Sequence, residues 1–102
     1  MGKRQLTHKA VLEAAVMLKA LAHPDRIKIV ELLAGSDMLS VNQIANSAGL
    51  KQSITSQHLK LLKNGGALDS HKLSNQVFYS LYKKELLKLL ACIKNCCGRE
   101  RK

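Results

Sequence analysis

The sequence contains no apolar run of roughly 18 or more residues, the minimum for a helix that crosses a bilayer. Near the amino end, Lys9, Glu13 and Lys19 interrupt the apolar part of "MGKRQLTHKAVLEAAVMLKALA", which therefore lacks the pattern of a secretory signal. Leu6 in "MGKRQL" stands where a myristoylation site has Ser or Thr. These features predict a cytoplasmic protein with no membrane partner.

Cysteine is scarce and confined to one segment. The chain has three cysteines, all within "ACIKNCC" near the carboxyl end. Three cysteines in one short segment cannot cross-link a fold internally, and their odd number argues against a secreted disulfide scaffold. A reducing compartment is the better match.

Acidic residues are also few. Seven Asp and Glu stand against seventeen Lys and Arg, which gives a formal net charge of +10 and a sequence pI near 9.9. This excess suits a polyanionic partner, nucleic acid first and an anionic membrane surface second. With 102 residues, the chain has enough material for one core, so residues 1–102 are predicted to form a single domain.

Two helices are predicted in the first third of the chain. The first spans His8 to Ala22. Its apolar stripe consists of Val11, Ala14, Ala15, Leu18 and Ala22. The second spans Asp25 to Ala34, since Pro24 suits a first turn and Gly35 follows the last one.

A third, short helix has clear signals at both ends. Ser40 and Gln43 form a capping box, in which the hydroxyl accepts the amide three residues on and the glutamine reaches back. Gly49 is placed to end the helix in a left-handed conformation after about two turns. Another helix follows almost at once.

The fourth helix is amphipathic in an unusual way. Its apolar side is predicted to carry Ile54, His58 and Leu61, with Leu62 on the flank, and its opposite side Gln52, Ser53, Ser56, Lys60 and Lys63. Two short helices joined by a glycine turn indicate a helix-turn-helix, whose second helix would enter the DNA major groove.

A β-hairpin is predicted after this helix. In "ALDSHKLSNQVFYSL" the residues Val77, Tyr79 and Leu81 alternate to one face, and Ser74 and Asn75 suit the tip. A hairpin in this position is the wing of a winged helix-turn-helix.

The last helix is predicted over residues 83–97. Leu86, Leu90, Ile93 and Cys97 share one side of it. Pairing with the helix at 8–22 between two subunits would cover the apolar surfaces of both. The predicted fold is therefore mainly α with a small β-hairpin wing, in the order four helices, two strands and one helix, and homodimeric.

This order of elements, with "LKALAHPDRIKIVELL", "LSVNQIANSAGLKQSITSQHLKLLKNGGAL" and "QVFYSL", resembles the ArsR/SmtB family of bacterial winged helix-turn-helix repressors. The resemblance covers about residues 17–81. It implies a homodimeric transcriptional regulator that binds double-stranded operator DNA near its own gene and is released by an inducer.

The resemblance also implies the residues that contact DNA. The candidates are Gln52, Ser53, Thr55, Ser56, Gln57, Lys60 and Lys63 on the fourth helix, and His71 and Lys72 on the wing. Gln pairs bidentately with adenine, Ser bonds base edges or phosphates, and Lys holds the backbone. The plain alternative is a solvated helix face, and Ser53 has a rival role as the helix cap, because Lys51 is a poor one.

Metal-binding inducer sites of the family use paired cysteines at the start of the third helix, or Asp and His along the last one. Here the corresponding segments contain Ser40, Val41 and Asn42, and Lys83, Lys84, Glu85 and Lys88. Neither of those metal sites is expected, and His58 is interpreted as a core histidine. No required cofactor is predicted.

The cysteines leave three interpretations open. Cys92 and Cys96 lie one helical turn apart, and Cys97 joins the apolar stripe. They are small buried residues at a dimer helix, or a redox or sulfur switch, or ligands of a soft metal ion. Thiol-sensing relatives pair such a cysteine with one in the second helix, which has none here.

Two classes of function remain open. A catalytic site would need a nucleophile, a base and an orienting group, and the sequence suggests no such set, so the chain is not expected to be an enzyme. The alternative to a sequence-specific regulator is a winged-helix interaction module, or a non-specific nucleic-acid-binding protein.

Overall fold

The computed structural model describes residues 5–97 and contains five helices and three strands. In chain order these are α1 (His8–Leu21), α2 (Pro24–Ala34), β1 (Leu39–Ser40), α3 (Val41–Ala48), α4 (Gln52–Asn64), β2 (Leu68–Leu73), β3 (Gln76–Leu81) and α5 (Glu85–Cys96). The winged helix-turn-helix expected from the sequence is confirmed, with α3 and α4 as its two helices. None of the helices described is both long and apolar enough to span a membrane.

The turn between α3 and α4 forms as its residues predict. The Ser40 hydroxyl accepts from the Gln43 amide at 3.2 Å, and the Gln43 side chain accepts from the Ser40 amide at 2.8 Å. Gly49 ends α3 with φ of 71°, a conformation that costs a side-chain-bearing residue about 1 kcal/mol or more. Lys28 of α2 adds a bond to the carbonyl of Ala48, which ties the end of α3 to α2.

The sheet has three strands, whereas the sequence pattern predicted only the two of the hairpin. Strand β3 pairs antiparallel with both neighbours, and Leu39 of the two-residue strand β1 lies opposite Tyr79. A two-residue strand is too short to show alternation in the sequence, so no local pattern predicted it. The hairpin tip falls at Ser74 and Asn75 as predicted, and Ser74 adopts a positive φ of 55°.

The core lies between the helices and the inner face of the sheet. Its fully buried side chains come mainly from α2, α3 and α4, and are Ile29, Val30, Leu33, Ile44, Leu59, Leu62 and Thr55. Leu68 and Tyr79 close it from the sheet, and Leu86 from α5. The helix-turn-helix is thus held from behind by α2 and from one end by the hairpin.

Helices α1 and α5 leave much of their apolar surface uncovered. On α1 only Leu21 is buried, and the exposed apolar residues are Val11, Leu12, Val16 and Leu18, each about half accessible. On α5 Leu86 is buried while Leu87 is 40% exposed. The stripe predicted on α1 therefore faces away from the core of its own chain.

Candidate nucleic-acid interface

Six polar side chains of α4 lie on one continuous surface. Gln52, Ser53, Gln57, Lys60 and Lys63 are exposed, and Ser56 is half-buried among them. At 3.6 residues per turn, these positions occupy adjoining sectors of the helix, on the side away from the core. We call this set of six residues the polar face of α4.

The buried side of α4 differs from the one predicted. It consists of Thr55, His58, Leu59 and Leu62, whereas Ile54 and Leu61, which were expected inside, are 41% and 47% exposed. Both sets have helical spacing, so periodicity alone could not choose between them. Packing against α2 and α3 buries the set that contains Leu59 and Leu62.

Thr55, a predicted DNA contact, lies on the buried side of α4 and not on its polar face. Its side chain is fully buried, and its hydroxyl donates to the carbonyl of Lys51 at 2.9 Å. The rival role of Ser53 as the helix cap is not seen: Ser53 lies inside the first turn, and no side chain of the described residues caps α4. The first amides of α4 are left open at the positive end of the helix dipole.

The two candidate residues of the wing have different surroundings. Lys72 is exposed, whereas His71 is half-buried and its Nε2 lies 2.9 Å from the Ser80 hydroxyl. Because consecutive residues of a strand point to opposite faces of the sheet, the side chains of His71 and Lys72 lie on different faces of the wing. Lys72 is the one whose charged end is free to reach a phosphate.

Behind the polar face, a cluster of polar side chains joins α4 to α2. The Arg26 Nε donates to His58 Nδ1 at 3.1 Å, and its Nη1 donates to the carbonyl of Ala20 at 3.0 Å. His58 Nε2 lies 3.6 Å from Asp25 Oδ2, beyond hydrogen-bond distance, and has no partner among the described residues. The sequence contained no signal for this cluster, because Arg26 and His58 are 32 positions apart.

Burial lowers the pKa of His58 from its ordinary value of 6.5, and the neighbouring His23 and Arg26 lower it further, while Asp25 opposes them. The neutral ring is therefore the form present near neutral pH. Since a guanidinium only donates, Nδ1 must accept, and the ring proton is on Nε2. The expectation of a hydrogen-bonded core histidine agrees with this arrangement.

His23, Asp25 and His58 are the one group in residues 5–97 with the spacing of three metal ligands. Two features oppose a cation there. The Arg26 guanidinium is bonded to His58, and the positive end of the α2 dipole lies at Asp25. The cluster is better suited to hold two helices together than to hold a metal ion.

The three cysteines lie at the far end of α5. Cys92 and Cys96 are in the helix and Cys97 caps it; in the part of the chain that the structure describes, all three are exposed and unbridged. They do not form a three-ligand group within one chain. A site with three thiol ligands would therefore need a contribution from a second chain.

A helix-turn-helix with an exposed polar second helix and an adjoining hairpin defines the chain as a winged-helix DNA-binding protein. A family model described as "Bacterial regulatory protein, arsR family" matches residues 23–70. The chain belongs to this family and is a transcriptional regulator.

Named relatives support that assignment. The HTH-type transcriptional regulator YgaV of Escherichia coli is 35% identical over 83 residues, which are 81% of this chain and 84% of YgaV. The cadmium resistance transcriptional regulatory protein CadC of Listeria innocua is 39% identical over 87% of this chain and 75% of CadC. Metal-responsive members thus occur in the family.

A solved structure resembles the whole fold. The homodimeric winged helix-turn-helix DNA-binding domain of Mb0332 from Mycobacterium bovis superposes with a TM-score of 0.78 at 28% identity, covering 92% of this chain and 88% of that domain. The match extends over the terminal helices as well as the central helix-turn-helix.

The revised orientation of α4 makes a direct prediction about two adjacent leucines. Leu62→Ala is expected to lower the free energy of unfolding by about 2–5 kcal/mol, because the side chain is fully buried. Leu61→Ala, at an exposed position, is expected to change it by about 0.5 kcal/mol. Urea denaturation at one protein concentration measures both, and equal losses would contradict the orientation of the helix described here.

Proposed function

We propose that the chain acts as a homodimer whose two α4 helices read an inverted repeat in successive major grooves, and that it represses its own gene. The observation that carries this proposal is the polar face of α4, which is exposed while the opposite side is buried in the core. The excess of positive charge supports the same partner, since each phosphate contact by Lys or Arg releases counterions.

The polar face supplies two kinds of contact. Gln52 and Gln57 present amides that pair with adenine N6 and N7, and Ser53 and Ser56 bond base edges or nearby phosphates. Lys60 and Lys63 hold the DNA backbone and set the register of the helix. The wing contributes through Lys72, with His71 in a minor role because its ring is already bonded.

Ile54 is a further candidate that sequence reasoning placed in the core. It is 41% exposed and lies one turn from Gln57, at the edge of the polar face. Apolar side chains in this position contact the methyl group of thymine. An adenine–thymine preference at adjacent positions of the operator is the expected result.

Dimerisation through α1 and α5 would account for their uncovered apolar surface. An open groove of about 820 Å³ runs between the two helices and is lined on one side by Leu12, Val16 and Met17, and on the other by Leu86 and Leu89. A partner helix in this groove would bury residues that are half exposed in one chain. Dimerisation would also set the two α4 helices one helical turn of DNA apart.

We propose that the effector is a thiol-reactive species acting at Cys92, Cys96 and Cys97. Their exposure makes the thiolates accessible to an oxidant or to a soft metal ion. The cysteines lie at the end of α5, one of the two helices of the proposed dimer surface, which ties the effector to the dimer interface.

One pair of substitutions separates base reading from backbone binding. Gln57→Ala is expected to change which operator base is preferred, with a loss of about 1–3 kcal/mol in discrimination, because a bidentate pair is removed. Lys60→Ala is expected to weaken all duplexes alike and to reduce the salt dependence by about one unit of slope, because one cation no longer neutralises a phosphate.

Binding titrations at several salt concentrations, with operator and scrambled duplex, measure both effects. Equal affinity of the unaltered protein for the two duplexes would contradict operator recognition and favour a non-specific binder. Identical behaviour of the two variants would contradict their separate roles.

The proposed dimer surface is tested by substitutions at two equally exposed apolar positions, Val16 and Leu73. Val16→Glu is expected to weaken the dimer by more than about tenfold, because a two-fold interface buries the added charge twice. Leu73→Glu, on the wing and away from the groove, is expected to leave it intact. Sedimentation equilibrium measures the association, and a dimeric Val16→Glu protein would rule out this surface.

The effector proposal is tested by replacing Cys92, Cys96 and Cys97 together with Ser. The triple variant is expected to bind operator as the unaltered protein does, and to stay bound when a peroxide or Cd²⁺ is added, while the unaltered protein dissociates. A peroxide arm and a metal arm distinguish the two chemistries. Release of the triple variant by both agents would show that the sensing groups lie elsewhere.

A further inference from the structure

The polar cluster of Arg26, His58 and Asp25, between α2 and α4, has no role in the function proposed so far. We propose that Arg26 and His58 are positioning residues, whose hydrogen bond fixes the rotation of α4 on α2 so that its polar face meets a DNA groove in one orientation. The inference rests on the proposed function of α4 as the DNA-reading helix, and it adds to that function the device that aims the helix.

Arg26 is placed to join three helices. One nitrogen of its guanidinium donates to the carbonyl of Ala20 near the end of α1, and another donates to His58 in the middle of α4. The planar group holds its donors in a rigid fork, so both bonds together define where α4 lies relative to α1 and α2. Lys28, further along α2, binds the end of α3. Side chains of α2 thus hold both helices of the helix-turn-helix, α3 and α4.

The bond to His58 is the directional contact on the buried side of α4. Leu59 and Leu62 supply burial, but apolar contacts are not directional and tolerate small rotations of a helix. A hydrogen bond weakens steeply when its angle is distorted. His58 is adjacent to Gln57, so a rotation of α4 that breaks the bond also displaces an amide of the polar face.

The bond exists in one protonation state only. Arg26 donates through Nε, so His58 must present an unprotonated Nδ1. Protonation would place two donors face to face and bring a second positive charge beside the guanidinium. The charged and titratable groups around the ring are Arg26, Asp25 and His23, and a protonated ring would be drawn towards Asp25, 3.6 Å from Nε2.

The direction of the pH effect follows from burial. Because the pKa of His58 is lower in the folded state than in the unfolded chain, the unfolded chain binds more protons as the pH falls. The stabilisation from the neutral ring is complete above the ordinary pKa of 6.5, and it declines as the pH falls from there through the lower pKa of the folded state. Discrimination between operator and random DNA is expected to decline in the same range.

The test compares the unaltered protein with His58→Asn and His58→Leu. Asn keeps a carbonyl oxygen near the position of Nδ1 and cannot be protonated in this range, whereas Leu provides similar volume and no acceptor. The quantity measured is the ratio of dissociation constants for random and operator duplexes, by fluorescence anisotropy. The ratio cancels changes in phosphate attraction that affect both duplexes alike.

At about pH 8 we expect His58→Asn to keep the ratio within about threefold and His58→Leu to lose about tenfold, the order of one hydrogen bond to a charged group. From about pH 8 to about pH 5.5 the ratio is expected to fall for the unaltered protein and to stay level for His58→Asn. His8→Gln, which removes an exposed histidine at the start of α1, is the matched control and should follow the unaltered protein. Circular dichroism at each pH verifies that the proteins are folded.

Equal ratios for Asn and Leu at about pH 8 would overturn the inference, and so would superimposable pH profiles of His58→Asn and the unaltered protein. If His58→Leu does not fold, the pH comparison decides by itself. A protein that never distinguishes operator from random DNA would overturn the proposed function and this inference with it. A protein that distinguishes them equally well with and without the bond would overturn only the inference.

Discussion

The fold depends on the packing of α4, a helix that must belong to the core and to the surface at the same time. Thr55, His58, Leu59 and Leu62 point inwards with little or no exposure. Once these four positions are buried, the helical repeat determines the direction of every other side chain on α4. The polar face is exposed because the core holds the opposite side, so stability and DNA recognition depend on the same contacts.

The contacts that hold α4 are of two kinds. The leucines contribute most of the free energy of packing, since fully buried side chains of this size stabilise a fold by several kcal/mol. The bonds of Arg26 and Lys28 contribute direction, because they connect α2 to α4 and to the end of α3. Arg26 also binds the end of α1, a helix with an uncovered apolar surface. The proposed dimer surface and the reading helix are therefore linked through one side chain.

Local features of the fold were predictable from the sequence, and features set by distant contacts were not. The capping box at Ser40, the glycine end of α3 at Gly49 and the hairpin tip at Ser74 depend on neighbouring residues only. The predicted buried side of α4 was wrong by one position, because Ile54 and Leu61 fit a helical stripe as well as the residues that are buried do.

The same distinction applies to the candidate site. The polar residues of α4 could be named from the sequence because they adjoin one another on a short helix, but Thr55 could not be separated from them without knowing which side is buried. Strand β1 and the bond between Arg26 and His58 join residues far apart in the chain. Neither has a periodic or compositional signal, so only the folded structure brings them together.

Dimethyl sulfate footprinting of the protein on its operator tests the central claim most directly. The reagent methylates guanine N7 in the major groove and adenine N3 in the minor groove, so it reports which groove α4 occupies. We expect protection of N7 in two patches about one helical turn apart, one for each α4 helix. Protection confined to adenine N3 in the minor groove would contradict the assignment of α4 as the reading helix.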